Sequence, residues 1–151
     1  MEMTMGVFEI KCADDLVALA KEAVQQVRIH KQYRDLIGAV LMANHVADWH
    51  YIKDLGRTDF RDREKEAMRA RYPEWEVLRQ LANGTKHPKK QNIQAKRDEL
   101  QWEHDDFWTS PGHVGDDGSD WFVAFEGNPR SVTVLIETFL EKFSDRSARP
   151  K

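Results

Sequence analysis

The sequence predicts a mainly α protein: an antiparallel helical bundle with a short β-hairpin region ahead of its C-terminal helix. Three observations carry that reading. Apolar residues recur at three- and four-residue steps in five stretches, the period of a helix with one buried face. The clearest strand pattern is WFVAF at 121–125. Gly56, Pro73, Pro88 and Pro129 fall between the periodic stretches, where glycine and proline interrupt regular structure.

In chain order, GVFEIK alternates Phe8 and Ile10 with polar neighbours and reads as a short edge strand or a capping arm. From about Asp14 to His30, Leu16, Ala20, Ala23, Val24 and Val27 form one helical stripe. A second helix is expected from about Arg34 to Leu55, with Gly56 as its stop. Its first half, LIGAVLMANHVA, is apolar nearly all round, so this helix belongs at the centre of the bundle. Thr58 or Asp59 is expected to cap a third helix burying Phe60, Ala67 and Met68. That helix must stop before Pro73, which suits the first turn of a fourth with Trp75, Leu78, Leu81 and Ala82 as its core face. LQWEHDDFW at 100–108 alternates like a strand, and SPGHVGDDGSD is a loop by composition. Asn128 is expected to cap, and Pro129 to begin, a last helix with Val132, Leu135, Ile136, Phe139, Leu140 and Phe143 on one stripe. Residues 1–145 then make one domain, with 146–151 as a flexible tail.

Composition narrows the function classes. At 40% hydrophobic and 32% charged residues, the 151-residue chain reads as a globular protein. No apolar run approaches the roughly 18–20 residues that span a bilayer, and the N-terminal stretch has no secretory pattern. The single cysteine, Cys12, excludes a disulfide framework and a thiolate metal cluster. A cytoplasmic location is the expectation. A net charge of −3 excludes a broad electrostatic affinity for nucleic acid. Locally, Lys86, Lys89, Lys90, Lys96 and Arg97 form a basic segment, whereas no Lys or Arg occurs from Asp98 to Asn128. This is a solvated basic loop followed by an acidic one, or a local phosphate-attracting patch.

The stretch RQLANGTKHPKK at 79–90 places Arg79, Asn83 and His87 at successive four-residue steps, hence on one face of a helix at the edge of its core stripe. Two readings stand. In one, Asn83, Gly84, Lys86 and His87 form a C-terminal cap that meets the last carbonyls and the helix dipole. Alternatively, Arg79 and His87 suit phosphodiester cleavage: imidazole moves a proton while guanidinium offsets phosphate charge, without a metal. On the second helix, His45 and Asp48 share a face beside Asn44. They read as a buried hydrogen-bond network with Asn83, Lys86 or His87, or as metal ligands with His87 or His104. The five tryptophans are core or interface anchors, and Trp108 and Trp121 also flank the glycine-rich loop as a pocket would require.

LMANHVADW at 41–49, followed by LRQLANGTKH at 78–87, resembles the HEPN superfamily, in particular its small prokaryotic members. The resemblance covers roughly residues 10–90. It implies a helical bundle, commonly dimeric, which in many members is a metal-independent ribonuclease of toxin or defence systems. In others catalysis is lost and the domain binds or scaffolds. By this resemblance Arg79, Asn83 and His87 are the catalytic candidates, supported by His45, Asp48 and Lys86. The spacing from Arg79 to His87 is longer than in the active family pattern; Arg97-Asp98 with His104 is a second match to it. RNA and a second copy of the chain are the implied partners, with no cofactor, no metal and no membrane. The roles of His104 and His113 stay open.

Overall fold

The computed structural model describes residues 10–86, 95–97 and 121–146. The expected strands at 6–11 and 100–108 therefore lie wholly or mostly outside the described residues, as do His87, His104, His113, Trp102 and Trp108. The described chain is mainly helical, with a short antiparallel sheet before the last helix. Helix α1 spans Ala13–His30 and α2 spans Tyr33–Trp49, which runs on into a π-helical turn at His50–Asp54. Helices α3 (Asp62–Arg71) and α4 (Pro73–Lys86) follow, then strands β1 (Lys96–Arg97), β2 (Trp121–Phe125) and β3 (Asn128–Ser131), and finally α5 (Val132–Ser144).

Four long helices close the core. Helix α2 packs on α1, α4 and α5, which gives it the central place its sequence demands. Pairings between distant residues fix the directions. Asp54 accepts a hydrogen bond from the Ala13 amide (3.3 Å), so α2 returns alongside α1. Arg28 forks onto Glu137 (2.7 and 3.2 Å), while Lys21 reaches Ser144, so α5 runs against α1. Lys142 donates to Glu74 at 2.8 Å, which sets α4 against α5. Trp75, fully buried, donates its indole N–H to the Asn44 carbonyl at 3.1 Å and sets the level at which α4 crosses α2. The core includes Ala20, Val24 and Val27 of α1, Ala39, Ala43 and Val46 of α2, and Leu78 and Ala82 of α4. The expected α5 stripe from Val132 to Phe143 is buried in full.

Local boundaries differ from the sequence reading in three places, each for a visible reason. The second helix does not stay α-helical to Leu55. The Leu55 amide bonds the His50 carbonyl five residues back (2.9 Å), and Gly56 then takes the left-handed φ of +71°. Neither Thr58 nor Asp59 caps α3. Arg61 stands at its N-cap, Glu64 accepts the Arg61 amide (3.2 Å), and Asp59 instead binds the Arg61 side chain (2.6 Å). On α3 itself Met68 is buried but Ala67 is exposed; Glu64, one turn before Met68, takes the inward place.

Asn128 and Pro129 do not start the last helix. Glu126 and Gly127 both have positive φ (54° and 85°), which makes a two-residue hairpin turn of the I′ kind that joins Phe125 directly to Asn128. Pro129 lies in β3, an edge strand where a missing N–H is tolerated. Helix α5 is capped by Ser131, whose hydroxyl accepts the Val134 amide at 3.3 Å.

Candidate functional site

Helix α4 carries the stretch that the sequence singles out. Glu74, Trp75, Leu78 and Ala82 form its buried face. Glu76, Arg79, Gln80 and Asn83 are half-buried at the edge of that face. Three- and four-residue spacings bring Glu76, Arg79 and Gln80 together. Arg79 donates from Nε and from a terminal nitrogen to the two Glu76 oxygens, at 2.9 and 2.7 Å. Gln80 donates its amide to the same carboxylate at 2.7 Å, and Arg69 of α3 stands 3.6 Å away. Burial works to raise the Glu76 pKa, but hydrogen bonds from Arg79 and Gln80 and the charges of Arg79 and Arg69 together hold it below the usual carboxylate range. The same bonds from Glu76 raise the Arg79 pKa against the effect of burial. Arg79 is thus a fixed guanidinium whose planar fork is filled by one carboxylate.

At the helix end, the Thr85 hydroxyl donates to the Ala82 carbonyl at 2.7 Å, which satisfies one of the terminal acceptors. This is the role the capping alternative asked of its neighbours. His87 lies outside the described residues, and Lys86 ends α4. The proton-transfer half of the predicted constellation is therefore not described.

The α2 pair is placed apart from that helix end. His45 Nδ1 stands 3.2 Å from Asp48, and both side chains are about two-fifths exposed (39% and 43%). Asn44 is buried, and its carbonyl is engaged by Trp75. Trp75 meets α2 at Asn44, and Asn83 lies two turns further along α4, roughly 12 Å from that level at the helical rise. His45 and Asp48 form a partly exposed local pair and not a buried one; His87, one of the partners expected for them, lies outside the described residues. No group of three or more His, Cys, Asp or Glu side chains converges as metal ligands would, among the described residues.

A second polar cluster, not anticipated from the sequence, closes the other end of the bundle. His50 Nδ1 stands 3.4 Å from an Asp54 oxygen, and its ring meets Tyr51 and Phe143 edge-on, each with centroids 5.2 Å away. Arg146, which the sequence assigns to the tail, lies over the Phe143 ring (4.0 Å) and donates to the Phe143 carbonyl (2.8 Å) and to Asp14 (3.2 Å). It stands 3.9 Å from the same Asp54 oxygen. Burial lowers the His50 pKa, and the Arg146 charge adds to that, against the raising effects of Asp54 and Asp14. The available signal was the four-residue step in HYIKD.

Family models, curated proteins and solved structures give no match to the chain. Among the described residues no helix is long and apolar enough to cross a membrane. What the α4 face offers chemically is one carboxylate held by the Arg79 fork and the Gln80 carboxamide, with the Arg69 guanidinium of α3 at 3.6 Å and the three charged side chains only 22–35% exposed.

Proposed function

We propose that this chain is a HEPN-like helical-bundle protein that acts as a non-catalytic binding or scaffold domain. The observation that carries the reading is the fork of Arg79 on Glu76, at 2.9 and 2.7 Å. A guanidinium that stabilises charge developing on a phosphate must be free to meet it. Here the fork already serves a carboxylate, and any phosphate must first displace it. The resemblance to HEPN proteins includes members of this non-catalytic kind.

RNA contact is the second reading, supported by the charge count on the same face. Arg69 and Arg79 share the single carboxylate of Glu76, which leaves one positive charge in excess. One charge supports weak, salt-sensitive affinity for a phosphate backbone. A homodimer belongs to the proposal as well, supported by exposed apolar side chains at the α1–α2 elbow, Ile29 at 63% and Tyr33 at 55%.

One set of measurements tests both readings. Purified protein is incubated with single-stranded RNA, with and without divalent metal. Intact RNA is the expected result. Cleavage that disappears in both Arg79→Ala and His87→Ala would overturn the binding reading in favour of a ribonuclease. In parallel, Glu76→Gln is expected to lower stability by about 0.5–1 kcal/mol, the usual scale for a partly exposed ion-pair network. Sedimentation is expected to give twice the chain mass, and a monomer at all accessible concentrations would remove the dimer.

A further inference from the structure

We propose that His50, Asp54 and Arg146 form an acid-sensitive latch that ties the end of α5 to the π-helical turn and the start of α1. The turn is a departure from regular α geometry of a sort common at functional positions. Its widened loop brings His50 and Asp54 to the bundle end where Ala13 begins α1 and Phe143 closes the core. Asp54 is the shared post: one oxygen accepts the Ala13 amide, and the other faces both His50 (3.4 Å) and Arg146 (3.9 Å).

With His50 neutral, Nδ1–H donates to Asp54, and Arg146 supplies the cation that the carboxylate needs. Protonated His50 is a second cation on the same oxygen. The charged groups facing it are Asp54 on its own turn, Asp14 at the start of α1, and Arg146 beyond α5. Arg71 at the end of α3 reaches the cluster by donating to the Arg146 carbonyl at 3.4 Å. Carboxylates and guanidiniums therefore balance two against two, and solvation decides the sign. The His50 ring is walled by Tyr51 and Phe143, and its side chain is only 19% exposed. A charged ring is poorly solvated there. The site relieves the excess by releasing the guanidinium that lies beyond the last helix, and the α5 end loosens from Asp54.

The sign follows from linkage. The folded His50 value lies below the ordinary 6.5, so the closed latch binds its proton less readily than the open one. Closure is complete above pH 6.5 and is lost as pH falls through the depressed value. Amide hydrogen exchange, corrected for its intrinsic pH dependence, reads this directly. Between pH 7.5 and 5.5, exchange at Ala13, Leu55 and Asp145 is expected to accelerate several-fold, while mid-helix amides such as Val24 and Ala43 hold. His50→Gln keeps a neutral donor and cannot titrate, so its exchange should show no such acceleration. Independently, Arg146→Gln should move the His50 ring titration upward, as followed by its assigned NMR signal. Equal acceleration in His50→Gln, no acceleration in the native chain, or an unmoved His50 titration in Arg146→Gln would each overturn the latch.

Discussion

At Trp75 a single side chain does two things at once. It is 1% exposed, in the middle of the core, and its indole N–H donates to the Asn44 carbonyl at 3.1 Å. Trp75→Phe removes the donor and part of the volume. A net hydrogen bond contributes about 1 kcal/mol and a partial cavity adds a comparable amount, so a loss of about 2 kcal/mol is expected in chemical denaturation. Loss near zero would mean that the indole bond does not set the level of α4 on α2. Trp75 as a core residue was legible from period alone, because burial follows spacing. Its partner was not, since the acceptor is a backbone carbonyl on another helix and carries no sequence signature. The same holds for Arg79. Its four-residue relation to Asn83 suggests a site, but Glu76, three residues earlier, takes its fork. Both spacings were visible, and only the side-chain directions decide between them.

Among elements, the hairpin shows where local chemistry outranks a strong motif. Asn-Pro ahead of an apolar stripe is a sound helix-start signal. Glu126-Gly127, however, supplies the left-handed pair that joins two strands without splaying them. Ser131 then provides the cap. Gly127→Ala, at φ +85°, forces a side chain into left-handed backbone and is expected to cost about 1–2 kcal/mol. Gly127→Asn should cost less, because Asn tolerates that region. Equal melting temperatures for all three would show that the turn does not hold the sheet. The helices were legible because each has one apolar face, and their partners are interchangeable hydrocarbon. The π-helical turn was not, because nothing in YIKD marks a switch from four- to five-residue bonding. It lies where the His50 ring meets Phe143 and Asp54 accepts the Ala13 amide.

At the scale of the whole molecule, three depressed groups among the described residues point the same way. His50 lies below 6.5 through burial. Glu64 lies below 4.5 through its own backbone amide first, with the Arg61 amide and the charges of Arg57 and Arg63 opposing the effect of burial. Glu76 lies below 4.5 because Arg79, Gln80 and Arg69 outweigh its burial. Each contributes stability that is complete above its ordinary value and is lost as pH falls through its folded one. Tyr51 is opposite in sign: burial raises it above 10, so its contribution is lost as pH rises through the folded value. Thermal unfolding should therefore show a plateau from about pH 7 to 9, a first decline below 6.5 and a second below 4.5. His50→Gln should remove the first decline and keep the second. A profile rising toward acid would contradict all three assignments.

The order in which the helices meet has a kinetic side. Helices α1 and α2 are joined by Lys31 and Gln32 alone, with Lys31 in left-handed backbone (φ 56°) and its amide on Val27. They can find one another at once. Helix α5 must instead find α1 across more than a hundred residues, as the pairs Lys21–Ser144 and Arg28–Glu137 record. Closing a loop of that length costs about 2 kcal/mol more in chain entropy than closing one of ten residues. The α1–α2 elbow is therefore expected to form early on the folding route, with α5 docking last. Substitutions at Ala20 or Ala43 should slow refolding, whereas Phe139→Leu should mainly speed unfolding. Read in reverse, the molecule has a preferred place to begin coming apart, and it is the helix that completes its core.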